Sequence, residues 1–141
     1  MKDLHELRFP DDFLFYEEHT WVQQDGENVK IGISDYAQDR LGDVVFVELP
    51  EPGATFSRGD VFGTVESVKS VSELYMPVSG SVVSVNTLLE DSPELVNQSP
   101  YSDAWMVVLK PDDDPFAGED LHDSDSLMNA AAYLKSLKGL E

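Results

Sequence analysis

From Thr20 to Leu109 the chain falls largely into short β-forming runs, closed off by turn residues at near-regular intervals. That rhythm is the mark of a compact antiparallel sandwich or barrel, because each run can bury one face only against another sheet. Thr20 to Gln24 and Asn28 to Ile33 are separated by Asp25-Gly26, residues that tolerate the positive φ of a primed hairpin turn. Ser34 to Gly42 reads as a short helix, with Ser34 as cap and Gly42 at the left-handed stop. Asp43 to Leu49 returns to strand, with Val45, Val47 and Leu49 expected on one face and Val44, Phe46 and Glu48 on the other, until Pro50 and Pro52-Gly53 end it. Further runs are Gly63 to Glu66, Val71 to Met76, Ser81 to Val85 and Trp105 to Leu109. Near the end, Leu127, Ala131, Leu134 and Leu137 fall on one helix face, with Ser124 or Asp125 as cap and Lys135 and Lys138 in the last turns. The expected layout is an N-terminal arm over residues 1–15, a β domain over 16–111, an acidic loop over 112–125 and a helix over 126–141 packed back on the sheet.

Charge narrows the partners. Nine Lys and Arg stand against 28 Asp and Glu in 141 residues, a formal charge of −19, while 41% hydrophobic content is enough to fill a core. A field of this sign repels phosphate backbones and anionic headgroups, so neither nucleic acid nor membrane is expected as a partner, and basic protein surfaces are. There is no cysteine, which excludes disulfides, thiolate metal sites and a cysteine nucleophile. Any redox sulfur must be imported. The opening Met1 to Glu6 lacks the basic-then-apolar pattern of a leader, and no stretch is apolar enough to span a bilayer, so a cytoplasmic chain is expected.

The chemistry-bearing residues are sparse. His5, His19 and His122 share no metal-ligand spacing, and no phosphate loop or nucleophile elbow is present. The aspartates from Asp112 to Asp125 lack EF-hand spacing and read as a solvated loop, so no metal and no catalytic residue is expected. Lys69 differs from its surroundings. It lies between two β runs in Val65-Glu66-Ser67-Val68-Lys69-Ser70-Val71-Ser72, and Gly42 to Val47 is weakly echoed by Gly80 to Val85 on its other side. Related half-motifs of this kind place the intervening segment at a hairpin turn, where a lysine is solvated and chemically addressable. From local pattern alone, an ordinary surface lysine is the plainer reading.

The runs Gly42 to Pro50, Val65 to Ser70 and Met76 to Gly80, together with Ile31 to Gln38 and Pro93 to Asn97, resemble in order and spacing the H proteins of the glycine cleavage system. The resemblance covers about Phe15 to Lys110 and extends plausibly to the terminal helix. It implies a mainly β fold, a barrel-sandwich hybrid of the lipoyl/biotinyl type with short helices and a C-terminal α-helix. It also implies a carrier and not a catalyst, with lipoic acid in amide linkage to Lys69. The arm would take an aminomethyl group from the pyridoxal-phosphate glycine decarboxylase to the tetrahydrofolate-dependent aminomethyltransferase, and be reoxidised by dihydrolipoyl dehydrogenase. A lipoate ligase or an octanoyl or lipoyl transferase would load it, reading Glu66, Ser67, Val68, Ser70 and Glu73 around the lysine. A monomer suits docking to several enzymes in turn.

Family members shield the loaded arm in a cleft beside a His-Glu-Trp turn. Here that turn reads Glu18-His19-Thr20-Trp21, with Thr20 in place of glutamate, so Glu17, Glu18, His19 and Thr20 are the cleft candidates. Ala104 stands where glycine usually precedes the tryptophan, here Trp105. Biotin carriers place methionines beside the lysine where this chain has Val68 and Ser70, and the lipoyl domains of 2-oxo acid dehydrogenases lack the Gly42 to Pro50 run. The alternatives left open are an H-like scaffold for lipoate transfer and a non-catalytic interaction module.

Overall fold

The computed structural model describes residues 3–116 and 127–139. Strands β1 (Leu14–Phe15), β2 (Thr20–Asp25), β3 (Asn28–Ile33), β5 (Thr55–Phe56), β8 (Gly80–Val85) and β9 (Val107–Pro111) form one antiparallel sheet in the order β1-β2-β3-β9-β8-β5. Strands β4 (Val44–Glu48), β6 (Val61–Ser67) and β7 (Val71–Tyr75) form a second, in the order β4-β6-β7. Neither sheet closes on itself. Four short helices join them: α1 (Asp35–Leu41), α2 (Leu88–Asp91), α3 (Leu95–Gln98) and α4 (Ala130–Lys138).

The two sheets share one core. Val29, Ile31, Val82 and Leu109 of the larger sheet meet Val44, Val47, Val65 and Leu74 of the smaller one, all buried. This is the sandwich that the turn rhythm predicts. The echoed segments Gly42 to Val47 and Gly80 to Val85 fall on β4 and β8, one in each sheet, and Lys69 lies at the β6–β7 turn between them.

The hairpin signal acts one residue later than expected. Asp25 pairs with Asn28, leaving Gly26 and Glu27 as the loop, and Gly26 alone takes positive φ, the pattern of a II′ turn. Helix α1 follows the expected bounds, with the Ala37 N–H donating to Ser34 Oγ over 3.2 Å.

Two expectations are corrected. Strand β4 does not alternate: Val44 and Val47 are buried while Val45 and Phe46 both face outward. A bulge between Val44 and Phe46 inserts one unpaired residue, which shifts every later side chain by one place. Helix α4 begins at Ala130, capped by Asn129 Oδ1, and buries Ala130, Tyr133 and Leu137, while Ala131 is exposed and Leu127 lies before the helix. Ser124 and Asp125, and most of the acidic loop, lie outside the described residues. The N-terminal arm carries regular structure. It holds a single 3-10 turn at Leu4–Glu6 and the strand β1, and Phe15 exchanges two 2.7 Å backbone hydrogen bonds with Met128.

That segment and α4 build a second core on the back of the larger sheet. Leu4, Leu7, Phe13, Phe15 and Trp21 pack with Ala130, Tyr133 and Leu137, and the Phe15 and Tyr133 rings stack at 4.6 Å. Polar contacts fasten it. The Arg8 N–H donates to Asp35 Oδ2 over 2.9 Å, and the Tyr101 hydroxyl donates to the Arg8 carbonyl.

Candidate functional site

Lys69 occupies the tip of the β6–β7 hairpin. The turn is closed by Ser67, a buried side chain whose Oγ accepts from the N–H groups of Lys69 at 3.3 Å and Ser70 at 3.2 Å, while its own N–H reaches the Ser70 carbonyl at 2.8 Å. A short hydroxyl suits this work because it offers a lone pair to backbone donors that a two-residue tip leaves unpaired. The Val68 N–H bonds the Asp43 carbonyl at 3.0 Å, so the tip is also pinned to the start of β4. Ser67 is thus a builder of the turn and not a surface feature. Glu66, Val68, Ser70 and Glu73 are exposed around it.

The lysine side chain is exposed, and among the described residues its amine has no ion pair or hydrogen bond. Its stem runs beside Gly42, where a β-carbon would lie 3.4 Å from Lys69 Cε. Gly42 in turn is braced by Asn97, whose Nδ2 donates to the Gly42 carbonyl at 2.8 Å and to Gln38 Oε1 at 3.1 Å, and whose Oδ1 accepts from the Val44 N–H at 2.9 Å. One amide therefore ties α1, α3 and β4 together beneath the lysine.

Next to the tip opens a pocket of about 310 Å³. One wall is the free edge of β7, from Ser70 to Leu74, and the other is built by Glu18, His19, Thr20, Ile33 and the α1 residues Tyr36, Ala37, Arg40 and Leu41. That volume is at the lower end of small-molecule sites, about 300–1,000 Å³. Of the expected cleft residues, Glu18, His19 and Thr20 line it and Glu17 does not. Thr20 is buried and its hydroxyl donates to the Tyr75 carbonyl at 3.0 Å, so it ties the two sheets together and offers no carboxylate.

His19 is held firmly. It is the one described non-glycine residue at positive φ, 74°, fixed by backbone bonds from its N–H to Tyr16 O at 2.8 Å and from the Ser34 N–H to its carbonyl at 2.9 Å. Its ring packs on Tyr36 at 5.0 Å, and Nδ1 lies 2.7 Å from the Tyr133 hydroxyl, which is also 2.7 Å from Ser34 Oγ. Burial pushes the His19 pKa down, favouring the neutral ring, and pushes the Tyr133 phenol up, keeping it protonated. The Tyr133 hydroxyl thus bridges the His19 ring and Ser34, and the direction in which this chain of hydrogen bonds runs is coupled to the His19 tautomer.

Sequence reasoning missed Tyr36, Arg40, Ser72 and Tyr133 here. Tyr133 is 114 residues from His19, and nothing in its helix pattern sets it apart from a core aromatic. Ala104, standing where the resemblance leads one to expect glycine, is buried with ordinary negative φ, and its N–H bonds Ser99 O at 3.0 Å, so this turn needs no left-handed residue.

Comparison with known proteins agrees with this geometry. A family model described as glycine cleavage H-protein matches residues 13–139. The glycine cleavage system H protein of Geobacillus kaustophilus is 55% identical over 127 residues, covering 90% of this chain and 94% of that one. The H protein of Oceanobacillus iheyensis is 58% identical over 108 residues, covering 77% and 86%. A crystal structure of the H protein from Mycobacterium marinum superposes with a TM-score of 0.79 at 36% identity, covering 92% of this chain and 99% of that one.

Proposed function

Because the chain belongs to the glycine cleavage H-protein family, we propose that it works as that system's lipoyl carrier through an arm attached at Lys69. The family's members are carriers and not catalysts. The observation that bears the attachment reading is the lysine itself, exposed at a braced hairpin tip with an amine that no described residue engages. Amide formation there joins Nζ to the carboxyl carbon of an activated acyl donor, releasing the donor's leaving group and a proton.

The residues present fit such an arm. When bound, lipoic acid supplies a dithiolane that accepts and hands on an aminomethyl group, sulfur chemistry that a chain without cysteine cannot provide. Ser67 and Asn97 hold the attachment point, and the pocket beside it is large enough to house a small cargo away from bulk water. Within that pocket we assign the carboxylate facing a cationic cargo to Glu18, with neutral His19 lining the wall next to it. Glu66 and Glu73, exposed on either side of the tip, are assigned to partner recognition. The partners proposed are glycine decarboxylase, the aminomethyltransferase, dihydrolipoyl dehydrogenase and a lipoate ligase or octanoyl or lipoyl transferase, in the cytoplasm. Tethering makes each transfer effectively intramolecular, with local concentrations on the order of mM for a short flexible link.

Intact-mass measurement tests the reading. Incubated with lipoate, ATP and a lipoate ligase, the chain should gain one lipoyl group, and Lys69→Arg should gain none. Loaded protein should then support exchange of glycine's carboxyl carbon with bicarbonate in the presence of the decarboxylase. Loading without exchange would leave a scaffold for lipoate transfer.

A further inference from the structure

The outer face of the β4-β6-β7 sheet carries an arrangement that extends from the turn and the pocket wall at Val71 and Glu73 across to the edge strand β4. Register places Phe46, Glu66 and Val71 side by side in one row across the three strands, and Glu48, Thr64 and Glu73 in the next. Phe46 is 51% exposed, Val71 64% and Val68, at the tip, 71%. The β4 bulge turns Val45 outward as well, at 46% exposure, where strict alternation would have buried it. A bulge re-aims side chains. Here it adds apolar surface on an edge strand beside the lysine, flanked by three carboxylates.

We infer that Phe46 and Val71, with Val68, form the apolar centre of a docking surface for the enzyme that acylates Lys69, and that this enzyme presents an apolar socket rimmed by Lys or Arg. The inference rests on Lys69 being the attachment residue. Reach decides the occupant. A lysine amine lies about 6 Å from its own Cα, and adjacent strands are about 4.8 Å apart, so Phe46 is only about 10 Å across the sheet from Val71. An enzyme whose catalytic groups surround the bare amine must cover the tip and the row behind it. An enzyme that meets only the far end of a loaded arm, as the dehydrogenase does, can stand off by the arm's length. The charge of the site agrees: Glu48, Glu66 and Glu73 ring the apolar residues, and a buried apolar centre with a charged rim is how protein interfaces concentrate their affinity.

The test uses the full chain and the variants Phe46→Ser, Val71→Ser and the double variant, with Val83→Ser on the other sheet as control. Urea unfolding midpoints should match the wild type, since all three substitutions are at exposed positions. With a lipoate ligase, ATP and lipoate, the double variant should lose at least tenfold in kcat/KM for acylation, carried mainly by KM, and the control should lose nothing. Once loaded to completion by long incubation, Phe46→Ser, which does not line the pocket, should be reduced by dihydrolipoyl dehydrogenase at the wild-type rate. Acylation of the double variant at the wild-type rate, or equal losses of Phe46→Ser in both assays, overturns the surface. A wild-type chain that gains no acyl group at Lys69 overturns the attachment reading itself, a distinct result.

Discussion

A side chain at position 42 would meet backbone strain. Gly42 has φ 77° and ψ −157°, a region essentially closed to residues with a β-carbon, while that carbon would make only ordinary contact with the Lys69 stem at 3.4 Å. Gly42→Ala is therefore expected to cost about 1–3 kcal/mol, seen as a lower urea midpoint, and to slow acylation of Lys69 in the intact-mass assay. His19 sets a pH dependence. Its pKa is lowered in the folded state by burial, so between that value and the unfolded value, about 6.5, the unfolded chain binds more protons. Stability falls as pH drops through this window and levels off below the folded pKa. Urea midpoints between pH 8 and pH 5 should therefore decline more steeply for the wild type than for His19→Gln, and parallel curves would remove His19 from the account.

Helix α4 has only nine residues, too few to persist without help, so its cap and its buried face must supply the stability. Asn129→Ala removes the bond to the Ala132 N–H and should cost about 1 kcal/mol, measured by urea unfolding. Tyr133→Phe keeps the stacking but leaves His19 Nδ1 and Ser34 Oγ without their shared hydroxyl. It should cost about 1–2 kcal/mol and change the His19 tautomer ratio seen by nitrogen NMR. These elements also show where sequence stops being legible. The hairpins and α1 were readable because their signals are local: Gly26 at the turn, Ser34 at the cap, Gly42 at the stop. The β4 bulge was not, since a one-residue insertion leaves composition and propensity unchanged and is fixed by pairing with β6. The start of α4 was misplaced because Leu127 and Met128 continue the apolar pattern while Met128 is committed to Phe15. The exposed hairpin tip at Lys69 was legible from the β runs on either side of it, whereas the pocket beside it is assembled from segments that meet only on folding.

At the scale of the whole molecule, a formal charge of −19 acts on encounter more than on grip. Association with a basic partner should slow several-fold between low salt and about 0.3 M, where the Debye length is under about 8 Å, while dissociation changes less. Stopped-flow mixing separates the two rates, and equal changes in both would remove long-range steering. The sandwich itself follows from burying both sheets against one core, which the turn rhythm announces. The second core does not follow from it, because the residues that make it lie at opposite ends of the chain.

The Lys69 stem resting on Gly42 has a consequence for whatever is joined to its amine. A tether whose pivot sits against a wall sweeps a cap of directions, not a full sphere, and here the wall is the chain at Gly42, between α1 and β4. Halving the searched volume raises the local concentration of the free end by about twofold. The hinge thus concentrates its load without any attraction having to hold it there.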